Sequence, residues 1–341
     1  MNGTYKYLYG IIPFSEKNSV PAVADGSGKE THEIVYRDMA CVVSDSRGPT
    51  EPADRKALIQ ALQSHQAVME RLIKDGVTII PIKFGTYLGG EKAVENALEA
   101  GYGEFSRLLD SMSGKMEVNV TAEWRSLETL LREIAEENPE ISMLKKDIAG
   151  KTPDEAFALK VRIGSAVKSA LDRKREDVKK RILESLRKVA VDARLPDGTG
   201  DSVILTAAFL IERSKENFFD EALNGLNGSL NGSVDFKYIS PLPPYSFCTM
   251  EVKEVGYEDI RKAKELLGLG DEATAVEIRD CYQKKALAYH PDRERGNPLL
   301  GAMFEDLTKA YRLLNKFCRD GKCPLGQKEV EGFFYVEAVN L

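Results

Sequence analysis

The chain has 341 residues, 43% of them hydrophobic and 30% charged, with a formal net charge of −6. That length and apolar share suffice for two or three domain-sized cores, and the acidic balance argues against general nucleic-acid binding. No apolar run reaches the roughly 20 residues that cross a bilayer, and Met1-Asn2-Gly3-Thr4-Tyr5 lacks the basic start and apolar core of a signal peptide, so a cytoplasmic location is expected. Cys41, Cys248, Cys281, Cys318 and Cys323 form no Cys-x-x-Cys pair, and the odd number fits reduced thiols. Cys318 and Cys323 find no further ligands in the sequence, so neither a metal nor another cofactor is expected.

Taken in chain order, Tyr5 to Ile12 reads as a buried strand stopped by Pro13, followed by a hairpin of Glu33 to Tyr36 and Met39 to Ser44 turning at Arg37-Asp38. His32 falls in a loop beside Glu30 and Glu33 and is expected to be exposed. Asp54 opens a helix with Leu58, Leu62, His65, Val68, Met69 and Leu72 on or near one face; it ends near Gly76, and Val77 to Phe84 resumes as a strand. A helix from Glu91 through Leu109 and a strand from Lys115 to Glu123 follow. This alternation predicts a ferredoxin-like sandwich over residues 1–122.

The middle is helical and highly charged. Trp124 to Glu137 and Ile141 to Ile148 read as helices, and Pro153 to Ala193 as one nearly continuous helix of about 60 Å at 1.5 Å per residue. Thr152-Pro153-Asp154-Glu155 is a good start signal. The clusters Arg173-Lys174-Arg175 and Lys179-Lys180-Arg181 are interspersed with acids, so a solvated face is favoured over an arm for an acidic partner. Ser202 to Glu212 is an apolar strand, Lys215 to Leu226 an amphipathic helix, and the Asn-Gly pairs of Asn227 to Ser233 are turn formers. Val234 to Ile239 is a strand, and the prolines of Pro241 to Phe247 predict a rigid extended crossing before a strand at Cys248 to Val252. These elements make a second α+β domain with a long helix over 123–256, and 330–341 is a candidate last strand for its sheet.

A third unit is expected over 257–323. Ala263, Leu266 and Leu267 mark a short helix closed by Gly268 and Gly270. Thr274 and Glu277 stand at capping-box spacing, and Val276, Ile278, Cys281, Tyr282, Ala286 and Tyr289 recur at helical intervals until Pro291. Met303, Phe304, Leu307, Tyr311 and Leu314 mark a helix running back, which leaves His290-Pro291-Asp292 at the tip of a helical hairpin. With Ile278-Arg279, Tyr282, Ala286 and Lys309-Ala310-Tyr311, this all-α hairpin resembles the J domain of DnaJ-type co-chaperones. The resemblance implies contact with a DnaK-type chaperone through His290, Pro291, Asp292, Lys284, Lys285 and Tyr282. Asp280, Gln283 and Ala288 stand where that family commonly has cations, and Lys285 where it has an apolar core residue; weakened docking is expected.

Residues 5–252 are similar to the GvpF/GvpL family of gas vesicle proteins. The similarity rests on Tyr7-Leu8-Tyr9-Gly10-Ile11, His65, Pro81-Ile82-Lys83-Phe84-Gly85-Thr86, Ala207-Ala208-Phe209-Leu210-Ile211 and Pro241-Leu242-Pro243-Pro244-Tyr245-Ser246-Phe247. It implies a gas vesicle assembly accessory protein that binds the hydrophobic shell protein GvpA and other accessory proteins. Phe84, Phe209, Tyr245 and Phe247 are the first candidates for the shell-binding surface. The alternative is a general J-domain co-chaperone with other clients. Enzymatic chemistry has little support: His65 lies among apolar residues with no nucleophile at a recognisable spacing, and Lys83-Phe84-Gly85-Thr86 lacks the phosphate-loop pattern.

Overall fold

The computed structural model describes residues 5–15, 30–49, 52–148, 151–196, 200–289, 298–318, 321–330 and 333–339. Tyr5–Pro13 forms β1, and β2 (Thr31–Tyr36) and β3 (Met39–Ser46) form the expected hairpin, turned at Arg37 with a left-handed φ of 57°. Helix α1 (Arg55–Lys74) starts where Asp54 Oδ1 accepts the Ala57 amide at 2.7 Å. The short strands β4 (Ile80–Pro81) and β5 (Tyr87–Leu88) both pair with β1, completing a sheet ordered β2-β3-β1-β4 with β5 also on β1. The strand expected over Val77 to Phe84 is thus brief, because the chain turns away at Gly85, whose φ is 82°. Helix α2 (Glu91–Met112) buries Val94, Leu98 and Phe105.

The chain divides into two compact units, one of residues 1–68, 80–110 and 249–340, the other of 69–79 and 111–248. The second is built on β6 (Lys115–Trp124). The N-terminal sheet was expected to end with this strand; instead β6 pairs with other strands along both edges. Its alternating Met116, Val118 and Val120 reveal a strand, but alternation does not name a partner. Helices α3 (Leu127–Glu137), α4 (Pro139–Asp147) and α5 (Pro153–Leu186) follow. Helix α5 opens on a complete Thr152–Glu155 capping box and spans about 50 Å in 34 residues. It stops short of Ala193 because Val191 N donates to Leu210 O at 2.7 Å and draws the chain into β7 (Asp192–Arg194).

Strand β8 (Val203–Glu212), helix α6 (Glu216–Ser229) and strand β9 (Val234–Leu242) complete a sheet ordered β7-β8-β6-β9. Asn227-Gly228, expected to turn, is still helical; the turn falls on Asn231 and Gly232, with φ of 51° and 66°. The proline-rich crossing also differs from expectation. Pro241 sits on the edge strand β9, where a missing amide is tolerated, and Tyr245–Cys248 forms the single helical turn α7.

Strand β10 (Met250–Val255) leads into the helical module of α8 (Tyr257–Leu267), β11 (Glu272–Thr274), α9 (Ala275–Tyr289), α10 (Pro298–Asn315), β12 (Lys322–Pro324) and α11 (Gln327–Val330). The module ends on β13 (Phe333–Ala338), which pairs antiparallel with β10, so the helices are mounted between two paired strands. Gly268 closes α8 with a left-handed φ of 78°, and Thr274 and Glu277 exchange hydrogen bonds as a capping box at the start of α9. Ile260, Leu267, Ile278, Leu307, Leu314, Cys323, Leu325 and Val330 form its core. Cys318 and Cys323, expected as free thiols, are joined in a disulfide. Cys41, Cys248 and Cys281 are free. No helix among the described residues is long and apolar enough to cross a membrane.

Candidate functional site

In the first unit, three distant segments meet around His65. The Tyr7 hydroxyl lies 2.8 Å from His65 Nδ1, the Tyr9 ring stacks on the imidazole at 5.5 Å, and Phe84 meets it edge-on at 5.6 Å. Tyr87 in turn packs against Tyr7 at 5.0 Å. His65 is 5% exposed, and burial lowers its pKa to about 4. The result is a neutral imidazole clamped by rings, suited to fixing α1 on β1. One residue before Tyr7 on β1, buried Lys6 donates to Asp45 at 2.7 Å and Glu91 at 3.2 Å and approaches His32 Nε2 at 3.2 Å. Lys6 holds the Asp45 carboxyl below its usual range. His32 is exposed as expected but belongs to β2 rather than to a loop.

The second unit buries a carboxylate. Glu117, 1% exposed on β6, accepts the Ser246 amide at 2.8 Å and the Ser246 hydroxyl at 2.9 Å, fastening α7 to the sheet. Desolvation raises the Glu117 pKa despite those bonds, and burial pushes Cys248 up to about 12. Nothing in the sequence around Met116-Glu117-Val118 singles Glu117 out as buried, because a strand's alternate residues are ordinarily solvated. The aromatic candidates divide by burial. Phe209 is sealed in the core 5.5 Å from Phe219, whereas Phe84, Tyr245 and Phe247 are half-buried, and Arg194 lies over the Phe247 ring at 5.8 Å.

In the helical module, Tyr282 stacks on Tyr311 at 4.4 Å and its hydroxyl lies 3.2 Å from Thr308 Oγ1, tying α9 to α10. Lys284 is exposed, but Lys285 turns inward and donates to the Leu266 carbonyl at the end of α8. Sequence reasoning passed over Lys264. It is 5% exposed, donates to Asp271 at 2.5 Å and to Leu325 O at 3.0 Å, and faces the Tyr257 ring at 5.2 Å. Its place between Ala263 and Leu267 on the apolar face was the available signal. His290, Pro291 and Asp292 lie outside the described residues. Between α8, α10 and the β10–β13 ladder lies a groove of about 1010 Å³ floored by Val255, Leu266, Leu313 and Tyr335. No cluster of metal-ligating side chains occurs among the described residues.

Comparison with known proteins accounts for both parts. Residues 265–317 match the DnaJ domain, and Chaperone protein DnaJ of Borreliella burgdorferi is 44% identical over 50 residues, 15% of this chain and 14% of that protein. Gas vesicle protein F of Nostoc sp. is 23% identical over 249 residues, covering 71% of this chain and 96% of that protein; the Microcystis aeruginosa protein is also 23% identical, over 72% and 98%. The crystal structure of GvpF from Anabaena sp. PCC7120 superposes with a TM-score of 0.61 at 21% identity, covering 72% of this chain and 98% of that one. Because the profile of the gas vesicle synthesis protein GvpL/GvpF family matches residues 5–249, the chain belongs to that family, and it carries a DnaJ domain besides.

Proposed function

We propose that this protein is a cytoplasmic, gas vesicle-associated assembly factor that binds the hydrophobic shell protein GvpA and other accessory proteins through residues 5–249, and that its J domain recruits a DnaK-type chaperone. The observation that carries the reading is the presence in one chain of a GvpL/GvpF region and a J domain, the latter set between the paired strands β10 and β13. A wall protein with an apolar face exposes aggregating surface before it polymerises. An adaptor that covers this surface keeps subunits usable, and ATP-driven release through the chaperone frees them for the growing wall. Phe84, Tyr245 and Phe247 are the half-buried aromatics offered for the shell contact, with Phe209 supporting from within. His290, Pro291, Asp292 and Lys284 are the residues offered for the chaperone contact, while Tyr282 ties α9 to α10 and Lys285 ties it to α8.

Co-purification tests the reading. Full-length protein expressed with the shell protein should retain it selectively over misfolded chains, and His290→Gln should keep the shell protein while losing stimulation of the chaperone's ATPase. Retention of a broad set of unfolded chains without the shell protein would instead identify a general co-chaperone.

A further inference from the structure

The two halves of helix α5 differ in what they bury and in how their charges are paired. Its C-terminal half buries Leu171, Val178, Ile182 and Leu186, and four of its cations meet carboxylates, Lys174 with Glu133, Arg175 with Asp172, Lys179 with Glu176 and Lys180 with Glu184, while Arg181 bonds Ser229. Between Glu155 and Asp172 there is no acidic residue, and Lys160, Arg162 and Lys168 have no carboxylate partner among the described residues. No residue of this half is buried before Leu171. Phe157 and Val161 are 69% and 57% exposed, large values for such side chains, and the neighbouring α4 leaves Met143 67% exposed. Phe157, Lys160, Val161, Gly164 and Lys168 recur at the spacing of one helix face.

Gly164 lies at the middle of that stripe. Glycine inside an exposed helix costs about 1 kcal/mol relative to alanine, and a Cβ built there meets nothing within 4 Å, so no packing inside this chain requires it. What it leaves is a notch flanked by apolar and cationic side chains, where a second helix can approach closely.

We infer that the Phe157–Lys168 face of α5 is a docking surface for an acidic amphipathic helix of a partner protein. The partner's apolar seam lies over Phe157, Val161 and the Gly164 notch, and its Asp or Glu side chains meet Lys160 and Lys168. A helix fits better than an anionic lipid surface, because interfacial adsorption scales with a broad buried apolar face and this stripe offers two large side chains around a gap. The inference is independent of the shell-protein and chaperone contacts proposed above.

The test titrates the full-length chain into a fluorescent synthetic helix with leucines at i, i+3, i+4 and i+7 and glutamates on the flanks. Expected is saturable binding that weakens as salt rises and falls about tenfold in Lys160→Glu/Lys168→Glu. Gly164→Leu, which fills the notch with a better helix former, should lower affinity as well while leaving the thermal midpoint unchanged or higher. The inference is overturned by absence of binding, by affinities equal to wild type in both variants, or by adsorption to phosphatidylserine-containing vesicles with no binding of the peptide.

Discussion

The gas vesicle region and the J domain each bury a lysine, and the gas vesicle region adds two groups that burial moves toward their uncharged forms. In the former, His65 and Glu117 are enclosed where burial moves both toward their uncharged forms, and their partners are a phenol for one and a serine amide and hydroxyl for the other. In the latter, as at Lys6 of the former, the buried group is a lysine: Lys264 lays its aliphatic stem in the core while its amine reaches Asp271 and the Leu325 carbonyl, and the half-buried Lys285 reaches the Leu266 carbonyl. The first device uses short, rigid groups and makes the fold sensitive to pH. The second uses long side chains as struts, and it removes from the face of α9 a cation that could steer association with a partner.

The largest effect expected from this contrast is in Lys264→Ala. It removes both the packing of the stem and the bond to Leu325 O, and chemical denaturation of the full chain should show a loss of about 3 kcal/mol. If Lys264 is merely tolerated, the loss will stay within the surface range.

Acid should act next, through His65. Its folded pKa, about 4, lies below the ordinary 6.5, so the contribution of the neutral ring is complete above pH 6.5 and is lost as pH falls toward 4. A shift of that size corresponds to about 3 kcal/mol. Urea melts of wild type and His65→Gln at pH 7 and pH 4.5 isolate it: the two should converge at the acid end, and parallel pH profiles would refute the assignment.

A smaller effect of opposite sign is expected at Glu117. Its folded pKa is raised, so the folded state holds its proton more tightly and stability declines as pH rises through and above the ordinary carboxylate range. Glu117→Gln should flatten that decline and cost no more than about 1 kcal/mol at neutral pH, since an amide can still accept from Ser246. A variant that unfolds at neutral pH would show that the negative charge itself is required.

The smallest change in stability is expected for Lys285→Leu, about 1 kcal/mol in either direction. Its value lies in a second readout. The salt dependence of chaperone ATPase stimulation should be unchanged in Lys285→Leu and reduced in Lys284→Ala; equal changes would put Lys285 on the docking face after all.

Local signals in the sequence carried much of the fold. Gly268 as a left-handed cap, the Thr152–Glu155 and Thr274–Glu277 capping boxes and the Arg37 turn each depend on a few adjacent residues, and each is present in the structure. Long-range pairing was another matter. Alternation in Met116 to Val120 marks a strand but leaves its neighbours open, so the central place of β6 emerges only from β8 and β9 on its two edges. Asn227-Gly228 has turn chemistry, yet Phe219, Leu223 and Leu226 continue a buried helical face that carries the helix past it. At the candidate sites, the segments converging on His65 were visible as separate pieces of family resemblance. The inward turn of Lys285 and the Glu117–Ser246 anchor were not, because both depend on contacts between residues far apart in the chain.

Light scattering of shell protein diluted from denaturant tests the central claim most directly, measured with full-length protein present and again after addition of DnaK-type chaperone and ATP. The account predicts that stoichiometric protein suppresses scattering, and that chaperone with ATP releases assembly-competent shell protein from the wild-type complex but not from His290→Gln. Scattering unchanged by the full-length chain would contradict it.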